Sequence, residues 1–226
     1  MLDSLSPEIR DQLHVLMRIF LAENAKINLS ALRTEEACWP GNILDSLPLL
    51  EILPSLGTVE RVLDVGTGGG FPLLPLAIAR DDIHWTGLDS TGKKIQAVRR
   101  IALSLDLRNV ELVTERAEDA GHERAHRENY DLVLARAVAG IPTLLEFTAP
   151  FARIGGHVVL WKSLHADEEI AASAQAQKTL GCALTSRHRY TLPDPHGERQ
   201  LLVFTKQTAT PKQYPRPNGI PKKTPL

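Results

Sequence analysis

Residues 61–72 read Arg-Val-Leu-Asp-Val-Gly-Thr-Gly-Gly-Gly-Phe-Pro. The run from Arg61 to Val65 has the length and composition of a buried strand. It ends in a cluster in which four of the five positions 66–70 are glycine. Glycine lets a backbone turn sharply and lets a ligand approach it closely. Pro72 then opens a helical stretch over 71–80, a position proline tolerates well. Strand, glycine turn and helix form the opening unit of a doubly wound α/β sheet. In such sheets ligands bind beyond the carboxyl ends of the strands, at the topological switch point. A plain turn does not need so many glycines, so the cluster is read as a binding loop.

The same alternation continues on the carboxyl side. Strands are predicted over 83–88, 110–113, 130–135 and 157–161, with helices over 91–107, 142–151 and 166–180 between them. Residues 115–129 are polar and show no clear element. Residues 182–192 and 200–205 read as two strands joined by the PDPHGER connection. The expected fold is therefore α/β and Rossmann-like, a mostly parallel seven-stranded sheet closed by an antiparallel hairpin. On the amino side, Leu13, Leu16, Met17, Phe20 and Leu21 follow helical spacing. A second helical stretch over 34–53 is interrupted near Pro40 and Gly41. Three parts are expected: a helical cap over 1–58, the α/β unit over 59–206 and a basic, proline-rich tail over 207–226 without regular structure.

The composition of the 226 residues is that of an ordinary globular chain, with 43% hydrophobic and 23% charged residues and a formal charge of −1. No apolar run is long enough to cross a bilayer, and the acidic, mixed start MLDSLSPEIRDQ does not read as a signal peptide. Cys38 and Cys182 form no CxxC pair, which argues against a disulfide framework or a zinc cluster. A reduced, cytoplasmic protein acting as a monomer is the expectation. The charge is uneven: the chain from Lys206 onward holds five basic residues and no acidic one. That asymmetry suits an anionic partner such as RNA.

Two carboxylates frame the glycine loop. Asp64 precedes Gly66 by two positions, and Asp89 follows it by 23, at the end of the second strand. A carboxylate at that strand end can accept both hydroxyls of a ribose; Asp89, Ser90 and Thr91 would also suit a helix cap. A dinucleotide fingerprint needs a small residue where Phe71 stands, and no Gly-Lys-Ser/Thr of a Walker loop follows. The D-x-G-x-G-x-G pattern resembles motif I of the S-adenosylmethionine-dependent methyltransferases. A dinucleotide-dependent oxidoreductase and a non-catalytic RNA-binding protein remain as alternatives.

Several further segments narrow the resemblance: Asn28-Leu29-Ser30, ILDSL at 43–47, DVGTGGGFP at 64–72, LDSTGKK at 88–94, Arg116-Ala117-Glu118, Ala135-Arg136-Ala137, Gly155-Gly156 and the tail TPKQYPRPNGIPKKTPL at 210–226. Together they resemble the bacterial 16S ribosomal RNA guanine-7 methyltransferase family, once called glucose-inhibited division protein B. The resemblance implies methyl transfer from S-adenosylmethionine to N7 of a guanine in the 530 loop of small-subunit RNA. It implies a cofactor site made by Asp64, Gly66, Gly68, Phe71, Asp89, Ser90, Thr91, Ala117, Glu118 and Arg136. Asp89 would take the ribose, Ala117 and Glu118 the adenine, and Arg136 would position the target base beside the methyl group. Members of the family commonly carry His where Asn42 stands, so no catalytic histidine is expected there.

Guanine N7 carries a free lone pair, so the reaction demands no general base and rests on alignment. Lys93, Lys94, Lys162, Lys212, Arg216, Lys222 and Lys223 are the candidate RNA phosphate ligands. His122-Glu123-Arg124-Ala125-His126 spells HExxH, but it lies in a polar stretch without an apolar stripe. It is read as a solvated segment, and no metal site is expected.

Overall fold

The structure is a computed structural model that describes residues 2, 5–136 and 139–226, so Ala137 of the Ala-Arg-Ala segment lies outside the described residues. Seven strands make one sheet: β1 (Arg61–Val65), β2 (His84–Asp89), β3 (Val110–Thr114), β4 (Tyr130–Ala135), β5 (Ala152–Ser163), β6 (Cys182–Leu192) and β7 (Gly197–Lys206). Their order is β3-β2-β1-β4-β5-β7-β6. The first five pair in parallel, and β7 runs antiparallel to both β5 and β6. The strand order reverses between β1 and β4, which places the switch-point crevice beyond Val65 and Ala135.

The α-helices are α1 (Pro7–Lys26), α2 (Glu35–Cys38), α3 (Pro48–Ile52), α4 (Leu73–Ala79), α5 (Gly92–Ser104), α6 (Ala117–Ala120), α7 (Ile141–Thr148), α8 (Asp167–Ala172), α9 (Ala174–Leu180) and α10 (Ile220–Lys223), with a π-helical turn over Trp39–Leu44 and a 3-10 turn over Leu53–Leu56. The α1 start is capped by the Ser6 hydroxyl, which accepts from the Ile9 amide, with Pro7 in the first turn. Successive side chains of each central strand go to opposite faces. Val62, Leu132, Leu134 and Val159 meet the cap side chains Leu13, Met17, Phe20 and Ile43 in one core. Leu63, Val65, Val133 and Leu160 meet α7 and α9 in the other. The cap and the sheet thus share a continuous apolar core.

Three expectations need correction. The stretch 115–129 is not featureless; it holds α6 and a series of turns bound to the chain's end. The helix expected over 166–180 is two helices broken at Ser173, whose buried hydroxyl donates to the Ile170 carbonyl. The tail is not a free arm. It folds back over α6 and α7 and finishes in α10.

Candidate active site

The glycine loop is built by backbone geometry. Gly66, Gly68 and Gly70 have φ of 76°, 56° and 88°, a region side chains rarely enter. The Gly66 and Thr67 amides both donate to the Leu88 carbonyl, at 2.8 and 3.0 Å, and tie the loop to β2. A Cβ on Gly66 would meet nothing within 4 Å, so the space beside it is open. Asp89 Oδ2 accepts the Gly68 amide at 3.0 Å and Oδ1 accepts the Thr91 amide at 2.8 Å. This carboxylate therefore does two things: it shapes the loop and it opens α5.

A cavity of about 1040 Å³ lies beyond these strand ends. Gly66, Asp89, Ser90, Ala117 and Glu118 all line it, so five of the expected cofactor residues meet at one place. Gly68 and Thr91 are tied to it through Asp89. Phe71 is not on its wall; the ring is buried edge-on against Phe20, with centroids 4.8 Å apart. Its expected place in the pocket lining is corrected to a place in the cap core.

Asp64 stands behind the wall. It is buried, and neither carboxylate oxygen has a hydrogen-bond partner. Burial pushes its carboxyl up to about 7, against the opposing pull of Thr67 and the Arg136 charge. A buried carboxylate without a partner beside an open cleft is a characteristic mark of a functional site.

A second cavity, about 430 Å³, adjoins the first through Ala139, Gly140 and Glu169. Arg136 lines it from the end of β4. Its guanidinium donates to the Gly41 carbonyl at 2.9 Å, Asp45 Oδ2 at 3.0 Å and Asn42 Oδ1 at 3.1 Å. Asn42 holds the Arg136 fork from the side. Tyr190 Oη donates to Asp45 Oδ1 at 2.7 Å, and Trp161 Nε1 donates to the Asp45 carbonyl at 2.7 Å. Burial, and then the Asp45 charge, raises the Tyr190 hydroxyl well above the usual tyrosine range. Asp45, Trp161 and Tyr190 were not among the expected site residues. The ILDSL segment was the signal for Asp45; nothing in the spacing pointed to Tyr190.

The basic residues divide. Lys93, Lys212, Lys222 and Lys223 are exposed, Lys94 is half-buried, and Lys222 reaches the rim of the large cavity. Two expectations fail. Lys162 is nearly buried and donates to the Ala139 carbonyl at 2.6 Å and to Glu169 Oε2 at 2.7 Å. Arg216 is paired with the fully buried Glu146 at 2.7 Å. Both are committed inside the fold and not offered to phosphates. The tail as a whole is a wall: Asn218, Gly219, Lys222 and Pro225 line the large cavity, and the Gly219 amide donates to Glu118 Oε1 at 3.2 Å. The HExxH histidines diverge. His122 Nε2 pairs with the Pro215 carbonyl and His126 Nδ1 with Tyr130 Oη, each at 2.8 Å. Glu115, Glu123 and His126 instead come within 4.8 Å of one another.

Residues 9–199 match the family model described as rRNA small subunit methyltransferase G. The chain belongs to this family. A Ribosomal RNA small subunit methyltransferase G from Carboxydothermus hydrogenoformans is 41% identical over 92% of this chain and 88% of its own. One from Brevibacillus brevis is 38% identical over 99% and 93%. Among solved structures, a ribosomal protein L11 methylase from Lactobacillus delbrueckii subsp. bulgaricus superposes with a TM-score of 0.52 at 17% identity, covering 72% of this chain and 77% of that one. That likeness bears on the fold, which is shared with Rossmann-like methyltransferases. This small-subunit methyltransferase has no described helix long and apolar enough to cross a membrane.

Proposed function

We propose that the protein transfers a methyl group from S-adenosylmethionine to N7 of a guanine in the 530 loop of 16S ribosomal RNA, in the cytoplasm. The observation that carries this reading is the pair of adjoining cavities, one built on the glycine loop and Asp89, the other on Arg136.

The residues fit the cofactor. Asp64 offers a buried carboxyl whose oxygens have no partner, and a cationic amino-acid part beside it would favour its charged form. Asp89 keeps lone pairs for ribose hydroxyls after accepting the Gly68 and Thr91 amides. When bound, S-adenosylmethionine supplies a methyl group already activated on a sulfonium. The chain has little chemistry left to perform. Glu118, Ala117 and the tail residues Asn218 and Gly219 supply one wall of the cavity. Arg136, held on three sides, fixes the wall against which a base can stack or be pinned. No proton must leave guanine N7, and no side chain is needed to take one. Alignment at about 3 Å is the catalytic contribution.

The test is transfer of labelled methyl to small subunits from cells lacking the matching enzyme, followed by digestion to nucleosides. Label in 7-methylguanosine is the expected result. Label in another nucleoside, or none with cofactor bound, would overturn the reading.

A further inference from the structure

The second cavity has its own balance of donors and acceptors. Most polar groups on its wall are spent on one another. Asp45 receives Arg136 and Tyr190 on its two oxygens. Lys162 Nζ is divided between the Ala139 carbonyl and Glu169 Oε2. Besides the exposed Ser163 hydroxyl, two charged side chains keep uncommitted polar atoms among the described residues. Glu169 Oε2 takes Lys162 and the Ile141 amide, whereas Oε1 accepts nothing. The Arg199 guanidinium donates to nothing, and its Nε is buried. Arg199 lies opposite Ser163 in the β5–β7 register, one residue from the lysine that holds Glu169. Lys162 and Ser163 project to opposite faces of β5, so Glu169 and Arg199 border the cavity at the strand end from its two sides, one offering an acceptor and the other a donor.

The six-membered edge of guanine carries N1–H and N2–H₂ donors next to the O6 acceptor. Adenine carries an acceptor at N1 next to an amino donor, the opposite order. A spare acceptor beside a spare donor suits guanine and leaves adenine mispaired, and mispaired buried groups are what give polar discrimination. We propose that Glu169 reads the N1–H and N2–H₂ edge of the target guanine while Arg199 donates to O6, leaving N7 to face the cofactor cavity. This rests on the guanine-7 reading above. Lys162 and the Ile141 amide both occupy Oε2, which leaves Oε1 as the uncommitted oxygen.

The test compares small-subunit RNA carrying guanosine or inosine at the mapped acceptor position. Inosine keeps N7, O6 and N1–H and lacks only the 2-amino group. In the wild type, kcat/KM falls about ten- to a hundredfold on inosine, the worth of a hydrogen bond to a charged group. Glu169→Ala is at least tenfold slower on guanosine and treats the two bases alike; Glu169→Gln lies between. A ratio taken within one variant cancels its folded fraction and its cofactor affinity. Loss of the Lys162 anchor therefore moves both substrates together and leaves the ratio alone. Arg199→Ala slows both bases and keeps the inosine disadvantage, because both carry O6. The proposal is overturned if wild type accepts inosine as readily as guanosine, or if Glu169→Ala keeps the full disadvantage. Failure of the wild type to make any 7-methylguanosine is a different result: it brings down the reaction itself, and this assignment with it.

Discussion

The glycine loop at 66–70 and the tail at 207–226 are both rich in residues that avoid helices and strands, yet they are ordered by opposite means. The loop is ordered from within. Its glycines adopt positive φ and the Gly70 amide donates to the Thr67 carbonyl at 2.8 Å; the Leu88 carbonyl and the Asp89 carboxylate of the adjacent strand then hold the turn already made. The tail is ordered from outside. Arg127 donates to the Tyr214, Thr210 and Pro211 carbonyls, Glu146 takes Arg216, and Thr143 donates to the Pro221 carbonyl. Locally determined structure announces itself in a short motif, whereas structure determined by remote partners does not.

Arg216→Ala gives the largest break. It leaves the fully buried Glu146 carboxylate without its guanidinium partner, a loss of about 3–5 kcal/mol. Thermal unfolding and hydrogen exchange over 207–226 would detect it, and S-adenosylhomocysteine binding is expected to fall with it. A tail that stays protected in this variant would mean that it is ordered locally after all.

Asp64→Asn probes the loop side. The folded carboxyl titrates at about 7, above its unfolded value, so the wild type takes up a proton on folding. The associated stability is complete at acid pH and is lost as pH rises through 7. The cofactor-free Asn variant is therefore expected to be more stable than wild type at pH 8, on the order of 4 kcal/mol. The gap closes toward pH 4. Ligand affinity moves the other way: wild type weakens as pH drops below 7, and the variant is weak and pH-independent there. A melting difference that does not change with pH would remove Asp64 from this role.

Gly121→Ala sharpens the remote side. Its backbone is ordinary, but a Cβ would sit 2.6 Å from Pro215 Cγ. The expected cost is about 1–3 kcal/mol of overpacking, with protection lost over the tail and retained in the sheet. Gly68→Ala is the smallest change, about 1–2 kcal/mol for a side chain at positive φ. Its signature is a weaker ligand with an undisturbed tail.

The parallel sheet, its hairpin and the cluster of Gly66, Asp89, Ala117 and Glu118 were legible because each depends on period-two strands or on residues at strand ends. Phe71 was misread because the motif gives its position but not its direction; only the packing of α1 turns the ring toward Phe20. Lys162 and Arg216 looked like phosphate ligands because composition counts charges without their partners. Their carboxylates, Glu169 and Glu146, are 7 and 70 residues away. Asp45, Tyr190 and Trp161 come together from three distant segments, with no spacing to betray them.

The docking of the tail has a genetic consequence. A frameshift just after codon 206 leaves the coding of all seven strands intact, and truncations that spare every strand are commonly read as mild. Here the missing segment supplies one wall of the large cavity and the partner of a buried carboxylate. Loss-of-function alleles are therefore expected to map into the tail codons as densely as into the glycine loop.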